Sequence, residues 1–139
     1  MNTALMVKEL TNNLLRVPRH LQADTPILNT FSEGLYSRAI FIPKGTLIVG
    51  KKHRRETLNI CALGDITVLT ELGVARFQAG DIVVSKPGIR KVGYAHVDSV
   101  WVNVHATHER DLAIIEEQFI EQDDEEFDTK AFMQKVREA

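Results

Sequence analysis

Between Gly45 and Gly88 the chain reverses at Gly64-Asp65, Gly80-Asp81 and Pro87-Gly88, and the runs between these points are four to seven residues long. That spacing leaves no room for a helix of ordinary length and marks a small antiparallel sandwich or barrel. The strands it predicts are Thr57 to Leu63, Ile66 to Glu71, Val74 to Phe77 and Ile82 to Ser85. Two more precede them. Tyr36 to Ile42 alternates Tyr36, Arg38, Ile40 and Ile42 against Ser37, Ala39 and Phe41, and Thr46 to Val49 follows Pro43-Lys44-Gly45. Arg90 to His96 and Val100 to His105 complete the set, joined by Val97-Asp98-Ser99. A mainly β chain of about eight strands, with no helix among them, closes most economically as a jelly-roll barrel that leaves no open edge.

The flanks read differently. Residues 1–35 form an N-terminal arm: Leu5, Met6, Leu10, Leu14 and Leu15 fit a short helix, an edge strand from Ala4 to Leu10 fits nearly as well, and Pro18 and Pro26 impose an extended loop. After a barrel spanning 36–107, the period changes to 3.6 in a C-terminal extension, 108–139. Leu112, Ile115, Phe119 and Ile120 form one stripe on a helix starting near Arg110, and Phe132, Met133 and Val136 mark a second from about Thr129 to Arg137. These apolar stripes need a surface to bury against, and symmetric dimers are the commonest solution, so a homodimer is expected.

With 139 residues the chain is the size of one domain. A net charge of −2 gives no global attraction to nucleic acid or to a membrane surface. No apolar segment approaches the ~20 residues of a membrane span, and no signal-peptide pattern is visible. The single cysteine, Cys61, sits mid-strand in an apolar run and excludes an internal disulfide framework. A cytoplasmic protein is the expectation. Charge is unevenly spread, however. The turn GKKHRRE puts Lys51, Lys52, Arg54 and Arg55 around His53, whereas Glu109 to Glu126 holds nine acidic residues against Arg110 alone.

The framework Gly45…His53…Glu56…Gly64, followed by Gly80…Pro87-Gly88, resembles the cupin superfamily over about residues 36–106. The resemblance implies a jelly-roll barrel, and in the family three histidines and a glutamate of these motifs bind a divalent metal inside it. This chain departs from that ligand set. Lys51 stands at the first histidine, His53 keeps the second, Thr57 falls at the glutamate with Glu56 one residue early, and Lys91 and Ala95 fall at the motif-two histidine and asparagine. The run RKVGYAH-x-DS-x-W-x-x-x-H-x-T, leading into ERDL, is similar to small cupin-like proteins encoded by tailed phages, which implies a phage origin and a host-cytoplasm location, but no activity.

Strand alternation says which side chains share the interior. With His53 inward, Thr57, Asn59, Cys61 and Leu63 follow, and on the last strand Trp101, Asn103 and His105 oppose Val100, Val102 and Val104. The valine face is expected to pack on the helices or the second sheet. The expected ligand site therefore comprises Lys51, His53, Arg55, Thr57, Asn59, Lys91, Trp101, Asn103 and His105. Its cations suit a small anionic ligand or an acidic partner protein, bound without any cofactor. Two alternatives remain. One is a metal-dependent cupin enzyme, of isomerase or dioxygenase type, with His53, His105 and Glu56 around the ion. The other is a structural or assembly protein with a filled barrel. No nucleophile motif or paired strand carboxylates point to an enzyme.

Overall fold

A computed structural model describes residues 26–121 and Gln134. The expected N-terminal helix or edge strand and the second C-terminal helix lie outside the described residues. Nine strands and one full helix are formed by the described residues: β1 (Ile27–Ser32), β2 (Leu35–Ile42), β3 (Leu47–Val49), β4 (Thr57–Leu63), β5 (Asp65–Thr70), β6 (Gly73–Gln78), β7 (Ile82–Ser85), β8 (Val92–Ala95), β9 (Ser99–Ala106) and α1 (Leu112–Phe119). They form a five-stranded sheet in the order β1-β2-β9-β4-β7 and a four-stranded sheet in the order β3-β8-β5-β6, with every strand pair antiparallel. The fold is thus the expected mainly β jelly roll.

The sheet begins earlier than alternation from Tyr36 places it. Residues 27–32 pair along their whole length with β2, from Ile27 opposite Ile40 to Ser32 opposite Leu35. The segment carries Asn29 on its inner face, beside Arg38, so it lacks the apolar-in pattern by which a strand is recognised. Pro26 sits just before it, where a missing N–H costs no ladder bond, and its carbonyl accepts from Phe41 N at 3.0 Å.

The core has two parts. Ile42, Cys61, Ile66, Val68, Ala95 and Trp101 pack between the sheets, joined by Ile40, Ile48, Phe77 and Val83. Tyr36, Ile115 and Phe119, with Phe31, form a second cluster where α1 covers one end of the barrel. Asp111 caps that helix by accepting from the Ala113 and Ile114 amides.

Two expectations about side-chain direction change. The pairing of β4 with β9 shifts between Cys61 and Leu63, and this bulge turns Leu63 outward, where it is exposed rather than in the barrel. The valine face of β9 carries neither α1 nor the second sheet. Ile115 and Phe119 of α1 instead join Tyr36, which points into the barrel. Among the described residues, no helix packs on the outer face of the large sheet.

Candidate functional site

Register brings a polar row across the inner face of the large sheet. Asn29 lies opposite Arg38, Arg38 opposite Asn103, and Asn103 opposite Asn59. Above it, toward α1, run Phe31, Tyr36 and His105. Below it run Ile40, Trp101 and Cys61. The polar row therefore separates the aromatic mouth from the apolar core.

The mouth is a cavity of about 250 Å³ walled by Tyr36, Arg38, His53, Asn103, His105 and Phe119. Its rings are in contact: His105 lies 4.5 Å from Phe119, 5.9 Å from Tyr36 and 5.4 Å from His53, centroid to centroid. His53 Nδ1 is 2.7 Å from Thr57 Oγ1, and that hydroxyl donates to the Arg55 carbonyl at 3.2 Å. With the hydroxyl proton so used, Nδ1 is the donor, which leaves Nε2 an acceptor. Burial, then the charge of Lys91, pushes His53 down to about 3 and His105 to about 4. Both imidazoles are neutral near pH 7.

Deeper in, a smaller cavity of about 70 Å³ is lined by Arg38, Lys51, His53, Lys91, Trp101 and Asn103 among others, with no Asp or Glu in its wall. Lys91 Nζ donates to Asn59 Oδ1 at 3.0 Å and to Ser85 Oγ at 3.1 Å. Trp101 Nε1 donates to the same Asn59 oxygen at 3.2 Å, while Asn59 Nδ2 is held by the Thr57 and Val83 carbonyls and by Ser85. Burial lowers the Lys91 pKa to about 8. The Arg38 charge is felt by Tyr36, by both imidazoles and by Glu116, which shares the wall of the mouth with it. Asn103 Oδ1 is buried with no hydrogen-bond partner among the described residues.

His53, Thr57, Asn59, Lys91, Trp101, Asn103 and His105 thus share the interior. Of the basic turn, Lys51 also lines both cavities, while its Nζ pairs with Glu116 at 2.6 Å and both side chains are exposed. Arg54 and Arg55 do not converge there. Arg55 is exposed with its guanidinium 5.0 Å from the Phe119 ring centre. Arg54 donates through its backbone N to Phe119 O at 2.8 Å and through Nε to Ile120 O at 2.9 Å, and His53 and Ile120 form a single antiparallel bridge. Cations collect at the helix C-terminus, where carbonyls lack intrahelical donors. The turn is a clamp on α1.

Arg38, Tyr36 and Phe119 join the site without having been singled out from sequence. For Arg38 the signal was available: it is the one charge on the inward alternation Tyr36, Arg38, Ile40, Ile42. Asn29 could not be found the same way, because its strand was not recognised.

A divalent metal does not fit these residues. Among the described residues no group of three or more His, Cys, Asp or Glu side chains gathers. Glu56 is exposed, outside the barrel, and Thr57 offers only a hydroxyl already bonded to His53 and Arg55. Lys91 brings a positive charge toward the two imidazoles. Two neutral nitrogens beside a cation fall short of the three or four ligands such an ion takes.

No protein-family model matches the chain, and no curated protein matches its sequence. Solved structures do match in shape. A protein with a double-stranded β-helix domain from Klebsiella pneumoniae superposes with a TM-score of 0.51 at 16% identity, over 69% of this chain and 85% of that one. A cupin superfamily protein from Desulfitobacterium hafniense gives 0.51 at 8% identity, over 68% and 85%. KdgF from Halomonas sp. gives 0.51 at 17% identity, over 63% and 81%. At these identities the likeness concerns the backbone path and not the chemistry. The described residues form a cupin-like double-stranded β-helix, with a polar interior that lacks that superfamily's expected ligand set.

Proposed function

We propose that this chain is a non-catalytic binding protein whose barrel mouth receives a compact anion bearing a hydroxyl or N–H. The observation that carries this reading is the pair Arg38 and Lys91, two partly buried cations facing one interior with no carboxylate in the wall of its inner cavity. Lys91 is bonded only to neutral oxygens, so its charge is hydrogen-bonded but not neutralised. An anion between it and Arg38 supplies the missing charge. The unpartnered Asn103 oxygen asks in addition for a donor, which a carboxylate or phosphate alone lacks. Neutral His53 and His105 can accept or donate along the mouth without repelling the ligand's approach. The aromatic wall of Tyr36 and Phe119 sets the width of the entrance.

The same features weigh against the metal-dependent enzyme, since no third ligand is at hand, and against a filled structural barrel, since the mouth is open. The phage affiliation rests on the run from Arg90 to Thr107, and the cytoplasm of a host suits a chain with one buried, unpaired cysteine.

Calorimetric titration with lactate, malate, gluconate and glycerol phosphate at pH 7 tests the reading. At least one should bind, with affinity falling as pH rises past about 8, where the Lys91 ammonium is lost. Lys91→Met and Arg38→Met should each weaken that binding at least tenfold. Absence of heat from all four at millimolar concentration, or binding that both variants retain in full, would sink the proposal.

A further inference from the structure

The two sheets are not joined along one side of the barrel. β7 ends the five-stranded sheet and β6 ends the four-stranded one; they pair with β4 and β5 and not with each other. Along this seam lies a cavity of about 340 Å³, its whole wall formed by described residues, none of which lines the mouth. Pairing sets Ala75 beside Val68 and Phe77 beside Ile66 on the inner face, and Val83 of β7 opposite Asn59. Because β6 and β7 do not pair, Ala75 stays exposed although it faces inward. Phe77 and Trp101 close the inner end, edge to face, with ring centres 5.5 Å apart. At the base stands Lys91. Two of its three N–H groups are taken by Asn59 Oδ1 and Ser85 Oγ, which belong to the same wall. No Asp or Glu lines the cavity, and the other charge in its wall is the exposed Lys86.

We infer that the seam is a second binding site, which takes a monocarboxylate carrying an apolar chain or ring. Sites of ~300 Å³ and above, mostly apolar with a few fixed polar groups, are the usual form of a small-molecule pocket. The charge of the ligand follows from Lys91. An ammonium held by neutral oxygens is hydrogen-bonded without being neutralised, and its third N–H is directed by the other two, so one negative charge completes it. A dianion would bring a second charge into the same apolar wall with no partner there. The rest of the ligand follows from the valines, Phe77 and Trp101. The indole N–H is already given to Asn59, so this part of the wall offers a bound group contact area and no hydrogen bond. A hydroxylated tail loses its water there without compensation, and a hydrocarbon tail gains. The site needs neither Arg38 nor the two imidazoles, so it stands apart from the reading of the mouth.

Trp101 is the single tryptophan of the chain, so its fluorescence reports on the seam directly. Butyrate, hexanoate and octanoate, titrated into the full chain at pH 7, should bind with affinity rising about fourfold per added methylene. Lys91→Met should weaken octanoate at least tenfold. Ala75→Phe, which fills the seam from an exposed position, should do the same and leave the binding of compact hydroxy acids at the mouth unchanged. No octanoate binding by fluorescence and calorimetry at millimolar concentration, affinity indifferent to chain length, or binding retained in full by either variant would overturn the inference. If Ala75→Phe fails to fold, the wild type decides: nuclear Overhauser contacts between octanoate methylenes and the Ala75 methyl are expected, and bound octanoate without them would equally overturn it. Hydroxy acids bound without octanoate would sink this inference alone, whereas octanoate bound without any hydroxy acid would sink only the reading of the mouth.

Discussion

Lys91 Nζ stands 3.0 Å from Asn59 Oδ1 of β4 and shares that oxygen with the indole of Trp101. Asn59 is fully buried, and its amide nitrogen is bonded at the same time to Thr57, Val83 and Ser85. The asparagine thus fixes the lysine head without neutralising it, and a cation is held inside the barrel ready for a counter-charge.

That arrangement has a signature in stability. Lys91 has its folded pKa lowered from 10.5 to about 8 by burial, so between these values the unfolded chain binds more protons than the folded one. Stability should therefore rise as pH increases from about 8 toward 10.5, and the unfavourable contribution should be fully present below 8. Urea denaturation at pH 7 and pH 10 should show a gain on the order of 2 kcal/mol from this group, before other groups are counted. In Lys91→Met the rise should shrink by about that amount. An equal rise in both proteins would show that the ammonium is solvated.

The two imidazoles give a change in the acid range. His53 and His105 have folded pKa values lowered from 6.5 to about 3 and about 4, burial first in each case. Their neutral forms belong to the folded state, so this part of the stability is complete above pH 6.5 and is lost as pH falls toward 4. Each should account for a loss of about 2 kcal/mol between pH 7 and 4.5. His105→Phe keeps a ring against Tyr36 and Phe119 and should flatten the acid limb by that share. A limb unchanged in His105→Phe would place the acid sensitivity elsewhere.

The helix is held by few groups, and their removal can be ranked. Phe119 is buried among Tyr36, Ile115 and the His105 ring, so Phe119→Ala should cost about 3 kcal/mol. Asp111→Ala removes the acceptor for two helix amides and should cost about 1 kcal/mol. Thermal melts of both variants test the order, and a larger loss from Asp111→Ala would contradict it.

Two glycines in the left-handed region separate backbone strain from crowding. At Gly80, with φ +96°, a Cβ would meet nothing within 4 Å, so Gly80→Ala should cost only the backbone term of about 1–2 kcal/mol. At Gly64, with φ +90°, a Cβ would fall 2.2 Å from Ser99 Oγ and 2.6 Å from the Asp98 carbonyl. Ser99 is fully buried there and accepts from Asp65 N. Gly64→Ala should be the worse of the two by several kcal/mol in chemical denaturation, and equal losses would argue against the close approach of β9.

Much of this was legible in local pattern. The turn residues set strand lengths, and period-two alternation put His53, Thr57, Asn59, Trp101, Asn103 and His105 on one side, because a strand's pleat fixes the face of each side chain from its neighbours alone. Tertiary structure decided what depends on pairing between distant segments. The bulge between Cys61 and Leu63 is a property of β4 against β9, and it reversed Leu63. Where each lysine head ends up depended on the acceptor in reach: Glu116 on α1 holds the Lys51 ammonium at the mouth, and Asn59 with Ser85 holds that of Lys91 inside. Alternation already turned Arg38 inward, and the pairing of β2 with β9 set it opposite Asn103. The apolar outward rows of the large sheet also emerged only in three dimensions, since they join residues from five strands whose adjacency no single stretch of chain encodes.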